Sequence, residues 1–317
     1  MPKLTIAIPA YKAAYLADAI ASVLTQDYVD YELLISDDRG DGSIREVVSQ
    51  FSDSRIKLLD GPRRGLVANS AFLWDAASSE YIKFLYDDDL LYPSALGHLI
   101  QLIEKRADFV YAFCNRLVID GRGQVRERMT AFPGDRWMWF DADYIPKYMM
   151  ERIVNKVGEP SNLLIRRSAF ESSRCLTEFA GFPIRHLIDV AFYMNAGLVG
   201  PCVATPQYLS AFRIHEGQVS ARTQDPAFSA GVFEWEIFLR GSVQIGLVEP
   251  GVALKGVAPL DAHYAKHAER FEELQLLRRG LPSLAQSLAA GATSVVTEQF
   301  RDDVATAHRL IAERSAR

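Results

Sequence analysis

Residues Tyr81 to Pro93 read Tyr-Ile-Lys-Phe-Leu-Tyr-Asp-Asp-Asp-Leu-Leu-Tyr-Pro, an apolar run that stops abruptly in three consecutive carboxylates. Ile82 to Leu85 has the length and composition of a buried strand. Three adjacent anions repel one another unless a cation or water relieves them, so stability alone does not end a strand this way. Hard divalent cations such as Mg²⁺ or Mn²⁺ take oxygen ligands and keep positions open for phosphate oxygens. An acidic run is otherwise most often a solvated loop. The choice between the two rests on what lies upstream.

Upstream, short apolar runs alternate with helical spacing. Leu4 to Ile8 (broken by Pro9), Tyr31 to Ser36 and Ile56 to Leu59 read as buried strands. Leu16, Ile20, Val23 and Leu24 recur at helical spacing between Tyr15 and Thr25, and Ile44 to Phe51 and Leu66 to Ala77 form two further helices. This alternation predicts an α/β fold, a mostly parallel sheet with helices on both faces. Ligands of such sheets sit at the carboxyl ends of the strands. Asp37-Asp38 and Asp87 to Asp89 both follow strands, so both clusters are expected on one edge. Asp37 and Asp38 also suit a turn or a helix cap, and that alternative stays open.

The 317 residues carry a formal charge of -5, which gives no support for a nucleic-acid partner. Local basic pairs at Arg63-Arg64, Arg166-Arg167 and Arg278-Arg279 suit phosphates, an anionic membrane surface or plain solvation. Cys114, Cys175 and Cys202 are scattered and odd in number, as expected of reduced thiols. The N-terminus runs straight into a strand pattern without a signal-peptide layout. No apolar run approaches the roughly 18 residues of a membrane span. A cytoplasmic protein, at most peripheral at the inner face of a membrane, is expected.

The motifs then resemble a family. Ile6-Ala7-Ile8-Pro9-Ala10-Tyr11, Ser22-Val23-Leu24-Thr25-Gln26 and Glu32 to Asp38 are similar to the opening of family 2 glycosyltransferases. Gly65-Leu66 with Asn69, then Glu80 to Asp89, continue the match in the same order, strongly over residues 3 to about 95 and traceably to about 220. The resemblance implies the GT-A fold, with a nucleotide-sugar half over about 1–110 and an acceptor half over about 111–225, followed by a C-terminal helical region at 226–317. It implies that Pro9, Tyr11, Asp37, Asp38, Arg64 and Asn69 lie at the nucleotide. Asp38 would accept a hydrogen bond from a pyrimidine N–H, and Tyr11 would stack on the ring. Asp87, Asp88 and Asp89 cover the family's Asp-x-Asp element, although Tyr86 stands where many relatives carry its first Asp. Asp88 is then the direct metal ligand, Asp87 holds the ribose or a metal-bound water, and Asp89 is either a further ligand or a turn cap.

In the second half, Pro160 to Arg167 resembles the strand that opens the acceptor side. His186-Leu187-Ile188-Asp189 resembles the segment bearing the general base, commonly a Glu-Asp pair; Ile188 replaces the Glu, so Asp189 alone fits the base. Its structural alternative is a helix N-cap. Arg213-Ile214-His215 followed by Ser220 matches a closing element whose histidine, His215, completes the metal sphere in some relatives. Ala227 to Leu239, Leu260 to Arg279 and Thr297 to Ala312 read as amphipathic helices, broken at Glu249-Pro250-Gly251 and Gly280-Leu281-Pro282. They are expected to pack on the catalytic domain, with a homo-oligomer contact or a membrane surface as other roles. The expected function is inverting, metal-dependent transfer from a nucleotide-diphosphate sugar, UDP or dTDP, to a glycan or lipid-linked acceptor, with Mn²⁺ or Mg²⁺ as cofactor. A catalytically silent nucleotide-sugar binding subunit is the alternative. A sugar-phosphate nucleotidyltransferase ranks below both, because Pro9 to Ala13 lacks the Gly-rich loop it needs.

Overall fold

The structure, a computed structural model, describes residues 1–218, 225 and 227–315; Ser220 of the closing element lies outside them. Four strands, β1 (Leu4–Ala10), β2 (Tyr31–Asp37), β3 (Ile56–Asp60) and β4 (Tyr81–Phe84), alternate with α1 (Leu16–Leu24), α2 (Ser43–Val48) and α3 (Leu66–Ala76). Then come β5 (Leu90–Leu91), α4 (Ala95–Ile103), β6 (Tyr111–Asp120), β7 (Val125–Met129), β8 (Met138–Phe140), α5 (Tyr144–Arg152), β9 (Leu163–Arg166) and α6 (Arg174–Thr177). After β10 (Glu178–Phe179) and β11 (Phe182–Pro183) follow α7 (Ile188–Ala196) and β12 (Cys202–Ile214). The chain ends in α8 (Phe228–Gln244), α9 (Pro250–His267), α10 (Glu272–Arg278), α11 (Leu281–Ala289) and α12 (Glu298–Ser315).

The chain divides into two compact units. The first comprises Met1–Asp141, Val157–Arg174 and Val199–Glu216; the second comprises Ala142–Lys156, Cys175–Leu198 and Gly217–Arg317. The sequence predicts a single cut at residue 225. The units interleave instead, because α5 and α7 pack with the C-terminal helices α8 and α9 in the second unit.

The first unit is built on one sheet with strand order β3-β2-β1-β4-β9-β6-β12-β5, to which β7 adds beside β6 and β8 beside β12. Strands β3, β2, β1 and β4 run parallel, as their alternation with helices demands. Leu4, Ile6, Ile8 and Ala10 of β1 line one sheet face with Tyr31, Leu33 and Ile35 of β2, and α1, α2 and α4 cover it. α3 packs beside β1 and β2 with Leu73 and Trp74 buried. Successive connections run outward from β1 to β2 and β3, then return to β4 on the other side. That reversal opens a crevice at the carboxyl ends of β1 and β4.

Pro9 does not break β1, which runs on to Ala10 opposite Asp37. The Ala7 carbonyl accepts the Leu85 N–H, whereas the Ala10 carbonyl accepts that of Asp38. Pro9 shares the side of Ala7, and pairing with β4 ends at Ala7, so its missing donor costs no ladder bond.

In the second unit α8 is not amphipathic as the sequence suggests. It is buried nearly all round, from Phe233 and Trp235 to Glu234 and Glu236, because α5, α7, α9, α10 and α12 all pack on it. The stretch from Leu260 to Arg279 is not one helix: Tyr264 is buried on α9, Leu274 on α10, and Phe271 is the buried N-cap between them. Gly256 of α9 faces α5, where an added Cβ would overlap the Met150 carbonyl oxygen, whereas a Cβ on Gly251 meets nothing within 4 Å. Gly256→Ala is therefore expected to destabilise by about 2 kcal/mol or more. Gly251→Ala should be neutral or stabilising by up to about 1 kcal/mol. Urea denaturation of both variants checks this, and equal effects would refute the packing account.

Candidate active site

Three carboxylates occupy the turn between β4 and β5, and each has a different partner. Tyr11 and Lys12, just past β1, both donate backbone N–H groups to Asp87 Oδ2 at 2.7 Å. Asp87 is thus the tie across the crevice between the two strand ends. Its carboxyl is pushed up to about 6, chiefly by burial and then by the charge of Asp88, against the pull of those two N–H groups.

Asp88 is the carboxylate of the three with an ion-pairing neighbourhood. Its Oδ2 lies 3.1 Å from His215 Nε2 and 3.8 Å from Lys12 Nζ. Pairing of β5 with β12 places Leu90 opposite Ala211, so the chain beyond Ala211 passes the acid turn and carries Arg213 and His215 to it. Two donors on adjacent corners of an octahedron, about 2.1 Å from a hard cation, lie roughly 3 Å apart. The Asp88–His215 contact, here a hydrogen bond at 3.1 Å, has that spacing, so these two side chains are the ones that would hold an ion. No group of three or more His, Cys, Asp or Glu able to hold a metal exists among the described residues. An ion there would have two protein donors, its other positions left to water or phosphate oxygens.

Asp89, expected at the metal or in a turn cap, is fully buried, and its Oδ1 accepts the Arg213 N–H at 3.0 Å. Burial and the Asp88 charge hold its carboxyl well above the usual range. Arg213 is itself buried and donates Nε to the Asp88 carbonyl at 2.9 Å and NH2 to Asp18 Oδ2 at 3.1 Å. Its guanidinium lies 4.3 Å from the ring of Tyr15, which meets His215 edge-on at 4.9 Å. Lys12 and Tyr15 escape a motif-based reading as site residues, and Arg213, though part of the closing element, carries no site role in it. The one available signal is charge balance, since three adjacent anions at a strand end need cations nearby.

At the end of β2, Asp37 Oδ1 accepts N–H groups from Arg39 and Gly40, closing its own loop. Asp38 reaches across to the start of α3, accepting the N–H of Arg64 at 3.2 Å and of Gly65 at 2.8 Å. Asp37 thus performs the turn role the sequence left open, whereas Asp38 ties the end of β2 to the loop before α3; both follow β2 on the sheet edge that carries the acid turn. Tyr11 is exposed, with the Arg39 guanidinium 5.9 Å from its ring. The Arg64 side chain is exposed, whereas Asn69 is buried and reaches the Ser36 carbonyl at 3.4 Å.

In the second unit, Asp189 lies in the first turn of α7, which begins two residues earlier than an Asp189 N-cap would require, so Leu187 and not Asp189 is the N-cap. Asn155 donates its amide to Asp189 Oδ2 at 2.7 Å, and the Val190 N–H reaches Oδ1 at 2.8 Å. Ile188, which replaces the expected Glu, is buried. Behind this turn stands Glu234 of α8, a buried carboxylate that accepts backbone N–H groups from Arg185, His186 and Leu187. Nothing in the local sequence marks it except two acids, Glu234 and Glu236, inside an apolar helix run.

Residues 5–174 match one family model, described as Glycosyl transferase family 2. A Campylobacter jejuni protein named GalNAc(5)-diNAcBac-PP-undecaprenol beta-1,3-glucosyltransferase is 35% identical over 119 residues, 36% of this chain and 38% of that protein. The matched part is thus well under half of that relative's length. Among solved structures, S. aureus TarS (residues 1–349) in complex with UDP-GlcNAc matches with a TM-score of 0.59 at 12% identity, covering 92% of each chain. A mannosyltransferase from Pyrobaculum calidifontis in complex with GDP-Man and Mn²⁺ matches with a TM-score of 0.51 at 14% identity, covering 99% of this chain and 87% of that one. At these identities the two structures carry the fold alone.

The site geometry makes Arg213 the support of the Asp88–His215 pair. Arg213→Met would strand the Asp88 carbonyl in a buried setting and is expected to cost about 2–4 kcal/mol. Asp18→Asn alters only the solvent-facing end of the same contact, since that carboxylate is 60% exposed, and should cost under about 1 kcal/mol. Chemical denaturation separates them; a larger loss for Asp18→Asn would refute the assignment.

Proposed function

The chain belongs to glycosyl transferase family 2, and on that premise we propose that it moves a sugar, with inversion, from a UDP- or dTDP-linked donor to a hydroxyl of a lipid-linked glycan. The observation that carries the proposal is the strand-switch crevice, where Asp87 ties β1 to β4 and Asp88 pairs with His215. The acceptor class is suggested by the undecaprenol-linked substrate in the name of the Campylobacter jejuni relative. The donor class is suggested by the UDP-GlcNAc bound to TarS.

The nucleoside would lie along the ends of β1 and β2. An ionised carboxylate offers about four lone-pair sites, so Asp38 has acceptor capacity beyond the two N–H groups it already takes. We assign that capacity to a pyrimidine N–H, and the exposed face of Tyr11 to the base. Pro9 and Asp37 shape the strand ends beneath it, Asn69 braces β2 from α3, and Arg64 is the cation that meets the base or a phosphate. Asp87 uses Oδ2 for the main chain, and Oδ1 is assigned to a ribose hydroxyl. We place a divalent cation, Mn²⁺ or Mg²⁺, on Asp88 and His215, with buried Asp89 as the support behind them. When bound, it supplies Lewis-acid stabilisation of the departing diphosphate. Lys12 adds a fixed positive charge beside Asp88.

Asp189 is the proposed general base. It takes the proton of the acceptor hydroxyl as that oxygen attacks the anomeric carbon. The bond from that carbon to the diphosphate oxygen breaks, and its electron pair leaves with the nucleoside diphosphate. Asn155 and the Val190 N–H fix both carboxylate oxygens for this task. Among the described residues no helix is long and apolar enough to cross a membrane, so contact with a lipid-linked acceptor would be peripheral through this part of the chain.

Thermal melts with UDP and Mn²⁺ test the donor side. Saturation at about 100 times the dissociation constant adds about 2.7 kcal/mol. Asp88→Ala should abolish the Mn²⁺-dependent part of the stabilisation, and His215→Ala should weaken it. A wild-type response that is equal with and without Mn²⁺ would overturn the metal assignment. Asp189→Asn tests the chemistry, because Asn keeps the shape. Its stability and UDP affinity should stay near normal while transfer falls by at least about 10². Wild-type turnover would move the base elsewhere, and a wild-type protein that binds UDP-sugars without transfer or hydrolysis would make the chain a silent binding subunit.

A further inference from the structure

Glu234 stands one helical turn after Gly231 on α8, and the two together form a seat for residues 185–187. Its Oε1 accepts the Arg185 N–H at 2.7 Å and the His186 N–H at 3.1 Å, and its Oε2 accepts the Leu187 N–H at 2.7 Å and lies 3.2 Å from the His186 nitrogen. Gly231 makes room for the imidazole, since a Cβ there would come within 2.6 Å of His186 Cδ2. The carboxylate is fully buried, with no lysine, arginine or histidine side chain as an ion-pair partner among the described residues. Leu187 is the N-cap of α7, and Asp189 follows two residues later.

A buried carboxylate is a poor device for stability alone, because desolvation of the charge is large and an apolar replacement is often neutral or better. Burial pushes this carboxyl up to about 7 even though three N–H groups oppose the shift, and the charge of Asp189 adds to the rise. What the carboxylate provides that an apolar side chain cannot is a fixed path for three consecutive main-chain nitrogens. That path sets the start of α7, and hence the position from which Asp189 projects. Asn155 then fixes the Asp189 head group from the other end.

We propose that Glu234 is a positioning residue for the transfer step, clamping residues 185–187 so that Asp189 is held ready to accept the proton of the acceptor hydroxyl. The proposal rests on Asp189 being the base. Glu234 itself touches neither donor nor acceptor and acts only through the backbone it holds.

The test compares Glu234→Gln, Gly231→Ala and Asp189→Asn in the full chain. Gln keeps the volume but turns an acceptor oxygen into an amide donor facing a backbone N–H. Gly231→Ala displaces the same loop from its other side without altering the carboxylate, and covers the case in which Glu234→Gln does not fold. Three readouts are taken: UDP binding with Mn²⁺, UDP release from UDP-glucose, and hydrogen exchange of the amides of residues 185–187. The expected result for Glu234→Gln is at least about a tenfold fall in kcat, UDP affinity within about twofold of wild type, and about tenfold faster exchange at residues 185–187 only. Wild-type kcat, or unchanged exchange at those amides, overturns the proposal. So does a parallel loss of UDP binding, which would mark a general effect on the fold. Wild-type turnover in Asp189→Asn would sink the base assignment and this proposal together. An impaired Asp189→Asn beside a normal Glu234→Gln would sink the positioning role alone.

Discussion

The first unit depends on how three adjacent carboxylates share one turn. Asp87, Asp88 and Asp89 cannot all keep full charge in a dry setting without partners, and the fold gives each a different one. Asp87 takes two main-chain N–H groups from the end of β1, Asp88 faces His215 and Lys12, and Asp89 takes the Arg213 N–H. The remaining strain is visible in the Asp87 carboxyl, which sits near 6. A turn optimised for stability would hold at most one such group. Holding three leaves an electrostatic deficit at one point of the crevice, and cationic or hydrogen-bond-donating ligands are what offset a deficit of this kind.

The same turn explains why β12 has to be long and where it ends. One side of it pairs with β6 from Cys202 to Ile214, and on the other side Ser210 and Ala211 pair with β5, immediately after the acids. That double pairing carries Arg213 and His215 to residues more than a hundred positions earlier in the chain. Arg213 then fills the space between Tyr15, Asp18 and the Asp88 carbonyl. The histidine is therefore set by sheet register and by a buried guanidinium rather than by its own neighbours in sequence.

Much of this is legible in the sequence up to about residue 95, because parallel strands buried on both faces leave continuous apolar runs, and turns leave Gly, Asp and Pro. The first four strands and three helices of that stretch stand within a few residues of where the pattern puts them. The later elements resist the same treatment for identifiable reasons. β5 has two residues and β9 four, too short to show a period; β9 is an antiparallel insertion between β4 and β6, and β5 an antiparallel addition at the sheet edge. The interleaving of the two units depends on contacts between α5, α7 and helices far downstream, which no local pattern encodes. The helical pattern of α8 is visible, but its burial all round depends on partners from five other helices, α5, α7, α9, α10 and α12. Glu234 is hidden for a sharper reason. Its partners are backbone N–H groups, which every residue except proline carries and which therefore leave no mark in a sequence.

Main-chain contacts of this kind fix loops at four carboxylates. Asp37 holds Arg39 and Gly40, Asp38 holds Arg64 and Gly65, Asp87 holds Tyr11 and Lys12, and Glu234 holds residues 185–187. A hydrogen bond to a charged group contributes about 1.5–3 kcal/mol, against about 0–1 kcal/mol for an exposed ion pair such as Arg45–Asp60. Fixing a loop through its own nitrogens is thus the stronger method, and it has a second effect. It does not consume side chains. Tyr11 and Arg64 each lend a backbone N–H to an aspartate while their side chains stand exposed at the strand ends. On the proposed function, loop geometry and ligand contact would then be carried by different atoms of the same residues. That separation would let side chains at the crevice change with the donor or acceptor while the backbone beneath them keeps its shape.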